Sequence, residues 1–82
     1  MRLLVVEDDL KIAQELKILL EHENYEVETL TNFSSIIEDI LTKDCDLMLL
    51  DINLPNQNGF QICREIKKKR QTPIIFVTSR NT

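Results

Sequence analysis

Apolar positions follow two rhythms along this chain, and the alternation between them sets the architecture. The unbroken runs Leu3 to Val6, Leu47 to Leu50 and Ile74 to Val77 have no polar face, the pattern of strands buried on both sides of a parallel sheet. Elsewhere the spacing changes to that of helices. From Leu10 to about Glu23, Ile12, Ala13, Leu16, Leu19 and Leu20 form one amphipathic stripe. Phe33, Ile36, Ile37, Ile40 and Leu41 form a second, ending near Lys43; in a third that opens at Gly59, Phe60 and Cys63 are expected on the inner face, with Ile66 as a further candidate and Ile62 beside them. Tyr25 to Leu30 is different: Tyr25, Val27 and Thr29 alternate with Glu26 and Glu28, which predicts an edge strand with one wetter face.

The order is strand, helix, strand, helix, strand, helix, strand. Such alternation gives an α/β fold, a parallel sheet with right-handed crossovers and helices on both faces. Thr31 to Ser35 supplies N-cap candidates for the second helix, Pro55 is expected to break regular structure after Asp51, and Pro73 starts the last strand. Nothing resembles a repeat or a linker, so residues 1–82 read as a single domain. At 82 residues, only about 60% of the unfolded surface is buried on folding, and stability is expected to be marginal.

Composition narrows the function classes. Hydrophobic residues at 43% and charged residues at 29% are ordinary for a globular chain, and the net charge of −4 argues against nucleic-acid binding by this piece alone. The charge is uneven, with twelve acids against four Lys or Arg up to Leu50 and two against six afterwards. Lys67 to Arg70 is read as a solvated cap where helix dipoles favour cations, and His22 as a surface residue. Cys45 and Cys63 have neither redox nor zinc spacing and are expected to be free thiols. No apolar run approaches the ~20 residues of a membrane span, and acids come too early for a secretory signal, so the cytoplasm is expected.

Parallel strands present their carboxyl ends along one edge. There the sequence places Glu7, Asp8 and Asp9 after the first strand, Asp51 after the third and Thr78 after the fourth. In a flavodoxin-like order the first and third strands are neighbours, which puts the acids together at the topological switch point. Carboxylates that close must hold protons or surround a cation. A hard divalent ion resolves the repulsion, and few protein ligands plus water is the pattern of Mg²⁺. A metal, a carboxylate nucleophile and a hydroxyl are what phosphoryl transfer to an aspartate requires. The plainer reading of Asp51 is a strand-ending turn residue, and of the acids a solvated loop.

The residues Leu3, Leu4, Val5, Val6, Glu7, Asp8 and Asp9, the run from Leu49 to Gly59, and the run from Pro73 to Arg80 together resemble the receiver domain of two-component response regulators, most closely the OmpR/PhoB type. The resemblance implies a CheY-like three-layer sheet of order 2-1-3-4, truncated before the fourth helix and fifth strand. It implies that Asp51 accepts a phosphoryl group from a histidine of a sensor kinase. Mg²⁺ would be bound by Asp8 and Asp51, by Glu7 through water, and by the backbone carbonyl of Asn53, with Thr78 as the switch hydroxyl. Asp9 is read as helix-start chemistry, and Pro55 and Gly59 as shaping the acceptor loop.

The pattern breaks at the end, because no residue matches the lysine that the family carries at its fifth strand. The chain is therefore read as an N-terminal receiver fragment, not itself an enzyme. Its parent would be a DNA-binding transcriptional regulator whose DNA contacts lie in a further C-terminal domain. The fragment is expected to self-associate through the exposed fourth strand and to be phosphorylated weakly. The alternative is a receiver-like interaction module that works without phosphorylation. A haloacid-dehalogenase-like phosphohydrolase is disfavoured, since it needs a second acid two residues after the nucleophile, where this chain has Asn53.

Overall fold

The computed structural model describes residues 1–54 and 57–77. Strand β1 (Arg2–Val6), helix α1 (Leu10–His22), strand β2 (Glu26–Leu30), helix α2 (Ile36–Leu41) and strand β3 (Leu47–Asp51) alternate as the hydrophobic pattern predicts. Two short strands, β4 (Asn53–Leu54) and β5 (Gln57–Asn58), precede helix α3 (Gly59–Lys67) and strand β6 (Ile74–Val77). The four long strands form a parallel sheet in the order β2-β1-β3-β6, which is the expected 2-1-3-4 with β6 as the fourth.

The unbroken apolar runs are explained by the two faces of this sheet. Successive strand residues point to opposite sides. Leu4 and Val6 of β1 join Met48, Leu50, Ile36, Ile40, Ile62 and Ile66 in a core under α2 and α3, while Leu3 and Val5 join Val27 against Leu16 and Leu20 of α1. A strand without a polar face is therefore required at β1 and β3. Each fully buried Leu, Ile or Met in the larger core contributes about 1.5–3 kcal/mol relative to exposure.

Side chains fix the helix ends. Asp9 caps α1, its Oδ1 accepting from the backbone N–H of Lys11 at 2.9 Å and of Ile12 at 3.2 Å. Asn24, at φ 72°, turns the chain out of α1 in the left-handed region that asparagine tolerates. Asn58 Oδ1 accepts from Phe60 N at 2.8 Å at the start of α3.

Four expectations are revised. Regular structure does not stop after Asp51, because β4 and β5 pair antiparallel, Asn53 with Asn58 and Leu54 with Gln57. Leu54 is buried in the larger core, which anchors this hairpin, and Pro55 falls outside the described residues. Helix α2 ends at Leu41 rather than near Lys43. The basic run is not simply a solvated cap: Arg70 is half-buried and donates to the carbonyls of Ile40 (3.3 Å), Lys43 (2.8 Å) and Cys45 (3.4 Å). It thereby caps α2 and the turn after it, satisfying carbonyls that a helix end leaves open. Finally, Leu19 is 61% exposed, and Phe60, although its ring meets Phe76 at a centroid distance of 4.7 Å, is 50% exposed, so two positions of the apolar stripes are not buried. Among the described residues β6 pairs only with β3, and its Ile75 is also 50% exposed.

Candidate functional site

The acids stand at the carboxyl edge because the ladders hold the chain there. Val6 pairs with Leu50 across β1 and β3, so the next residues, Glu7 and Asp51, meet at the strand ends. Glu7 N donates to Leu30 O at 3.2 Å, and Ile52 N donates to Val77 O at 3.0 Å, which continues the sheet on both sides of the pair. Glu7 and Asp51 are buried, whereas Asp8 is exposed. One carboxylate oxygen from each of the three lies within 4.8 Å of the others.

Each buried acid is held by a local backbone donor. Glu7 Oε2 accepts from Asp9 N at 3.1 Å, and Asp51 Oδ1 accepts from Asn53 N at 3.0 Å. Glu7 Oε1 is buried and finds no hydrogen-bond donor among the described residues. Burial pushes the Glu7 carboxyl up to about 7, against the pull of the Asp9 N–H and with help from the neighbouring Asp51 and Asp8 carboxyls. At neutral pH the cluster therefore sits between sharing a proton and needing a cation. Its donors are all hard oxygens, without the thiolate or imidazole that zinc or copper sites use, so the residues fit a hard divalent ion such as Mg²⁺.

The remaining sequence candidates are placed differently. Asp9 caps α1, and Asn53 lies two residues after Asp51, exposed on β4. Thr78 falls outside the described residues. A cavity of about 320 Å³ opens at the opposite edge of the sheet, lined by Arg2, Leu4, Glu28, Lys43 and Cys45 among others, away from the acids. Its two cations already pair, Lys43 with Glu28 and Arg2 with Glu26 and Asp44. Cys45, whose thiol burial pushes up, and Cys63 are free.

Two features of the site escaped the periodicities. Gly59, the only glycine of the chain, passes so close to β3 that a Cβ there would stand 2.5 Å from Asp51 O and 2.8 Å from Ile52 Cα. The lone glycine soon after Asp51 was the available signal. Gln57 Nε2 donates to Phe33 O at 2.9 Å, tying β5 to the segment before α2, a link across 24 residues that no local pattern announces.

The response regulator receiver domain, as a sequence family, matches residues 3–82. The chain belongs to that family. Receiver domains of two-component response regulators are signalling modules, and the relatives of this one are regulators. It is 41% identical over 80 residues to "Response regulator ArlR" of Staphylococcus saprophyticus, which covers 98% of this chain and 36% of that protein. It is 39% identical over 80 residues to the protein of the same name from Staphylococcus aureus strain Mu50, again covering 36% of it. The chain thus spans little more than a third of these curated relatives. Among solved receiver structures, TrrA of Thermotoga maritima, in complex with Mg²⁺-BeF, superposes with a TM-score of 0.85 at 35% identity, covering 96% of this chain and 70% of that one. The BeF3-activated receiver domain of Klebsiella pneumoniae RstA gives 0.87 at 29% identity, covering 100% and 70%. No described helix is long and apolar enough to cross a membrane.

Proposed function

We propose that Asp51 is the phosphoacceptor of this receiver and that Asp8 and Asp51 hold Mg²⁺, with Glu7 acting through water and Asn53 through its backbone carbonyl. The observation that carries the reading is the convergence of Glu7, Asp8 and Asp51 oxygens within 4.8 Å at the carboxyl edge of the sheet. TrrA, solved with Mg²⁺-BeF, supports the choice of ion. When bound, Mg²⁺ supplies positive charge against the phosphoryl oxygens and the crowded carboxylates.

The chain's own groups do the rest. The Asn53 N–H holds Asp51 Oδ1, which orients the carboxylate at the end of β3. An Asp51 oxygen attacks phosphorus, the P–N bond of a sensor kinase phosphohistidine breaks, and the imidazole nitrogen departs with the electron pair. The exposed side of the cluster, at Asp8, leaves a path for that donor. Thr78 is the proposed switch hydroxyl. The chain accepts one phosphoryl group and is not a turnover enzyme.

The ArlR relatives support a wider reading: residues 1–82 are the amino-terminal part of a receiver, and the parent is a cytoplasmic, DNA-binding transcriptional regulator of the OmpR/PhoB type that binds DNA through a further domain. Among the described residues β6 pairs only with β3, which supports self-association of the 82-residue chain through that strand. Incubation with acetyl phosphate and Mg²⁺, followed by mass spectrometry, tests the central claim. One added phosphoryl group on Asp51, absent in Asp51→Asn, is the expected result. No labelling at any Mg²⁺ concentration would leave the interaction-module reading instead.

A further inference from the structure

We propose that Gln57 is a positioning residue of the acidic site, its side-chain amide fixing the hairpin that carries Asn53 and linking that hairpin to the start of α2. The inference rests on the reading of Asp51, Asp8 and Asn53 given above.

The geometry runs as a short chain of contacts. Asn53 N holds Asp51 Oδ1 at 3.0 Å, and Asn53 pairs with Asn58 across the β4–β5 ladder. Gln57, the next rung, pairs with Leu54, whose side chain is buried in the core. From that rung the Gln57 amide reaches outward and donates to Phe33 O at 2.9 Å. Phe33 in turn packs on the core beside Ile36 and Ile37 at the beginning of α2. A two-residue ladder has little rigidity of its own. A partly buried cross-link from its outer strand to a core-anchored segment supplies what the ladder lacks. Because Gln57 is bound at both ends, a displacement of Asn53 when the acidic site is filled is passed to Phe33 and Ser34 rather than absorbed in the hairpin. Surface grooves on either side of this contact, of about 230 and 250 Å³, share Gln57 and Ile37 in their linings, so the same movement reshapes the exposed face between α2 and α3.

The test is a Mg²⁺ titration of the ¹⁵N-labelled chain, following the backbone amides of Asn53, Ser34 and Ile36, for the wild type, Gln57→Leu and Gln57→Asn. Leucine removes the amide at similar volume, and asparagine keeps an amide that is one methylene too short. In the wild type all three amides shift with one midpoint. In both variants the Asn53 midpoint rises about two- to tenfold, the worth of one hydrogen bond, and the Ser34 and Ile36 response is lost. Urea unfolding of each variant shows whether it is folded, and the wild-type arm stands if either variant is not. A wild type in which Asn53 responds but Ser34 and Ile36 do not overturns the proposal. So do folded variants with wild-type midpoints and unchanged Ser34 response. A wild type with no Mg²⁺ response at Asn53 overturns the metal-site reading itself, and this inference with it.

Discussion

Replacing Gly59 by alanine adds one carbon where the backbone leaves no room. The new Cβ would stand 2.5 Å from Asp51 O, 2.8 Å from Ile52 Cα and 3.2 Å from the Asp51 carbonyl carbon. All three are main-chain atoms, so no side chain can rotate away. Ordinary contact begins at 3.4 Å, so α3 and the end of β3 must separate by about 0.9 Å. Overpacking of this kind costs roughly 1–3 kcal/mol. Alanine's helix propensity returns under 1 kcal/mol at this first position of α3. With a urea m-value of about 1 kcal/mol per molar for so small a chain, the unfolding midpoint should fall by about 1–2 M.

The displaced atoms belong to the proposed acceptor. Asp51 sits at the strand end that must move, and a misplacement near 1 Å can lower a rate by about a hundredfold. Phosphorylation of Gly59→Ala by acetyl phosphate should therefore slow by roughly ten- to a hundredfold under conditions where circular dichroism shows the variant still folded. A variant that unfolds at the wild-type urea midpoint and labels at the wild-type rate would refute the argument, since the clash would then be absorbed without moving β3.

Glu7 predicts a pH dependence. Its carboxyl is raised from the ordinary 4.5 to about 7, so the folded chain binds the proton more tightly, and this contribution to stability is complete below about pH 4.5 and lost as pH rises through 7. The effect is at most about 3 kcal/mol and smaller in so far as water at the open edge screens the cluster. Without Mg²⁺, the urea midpoint should fall between pH 5 and pH 8, Glu7→Gln should flatten the trend, and added Mg²⁺ should restore the midpoint at pH 8; a flat wild-type profile would contradict the assignment. Arg70→Met removes the donor to Ile40, Lys43 and Cys45 carbonyls and should cost about 2–3 kcal/mol in urea unfolding, whereas Lys69→Met should change it by under 0.5 kcal/mol. Ile75→Lys puts a charge on β6, which among the described residues pairs only with β3, and sedimentation should show the proposed self-association weakened or abolished relative to the wild type; an unchanged association constant would contradict an interface at β6.

How much of this could be read from sequence depends on which kind of contact made each feature. Strands β1 and β3 were legible because burial on two faces leaves no polar residue, and β2 because its glutamates alternate with the residues that pack. The acidic cluster was legible for a topological reason: parallel strands place all their carboxyl ends on one edge, so Glu7, Asp8 and Asp51 had to meet if β1 and β3 were neighbours. Gln57, Arg70 and Gly59 were not legible in the same way. Each acts on backbone atoms outside its own element, Gln57 on Phe33 O, Arg70 on the carbonyls of Ile40, Lys43 and Cys45, and Gly59 on Asp51 O, and such isolated contacts leave no period.

Leu19 and Phe60 show the complementary limit. Their spacing marks them as parts of apolar stripes, yet each is at least half exposed. Periodicity reports that a surface is apolar; it does not report whether anything within reach covers it. Phe60 meets Phe76, with ring centroids 4.7 Å apart, and still leaves half of its surface exposed. The acidic site is built differently, its ladder bonds coming from β1, β2, β3 and β6.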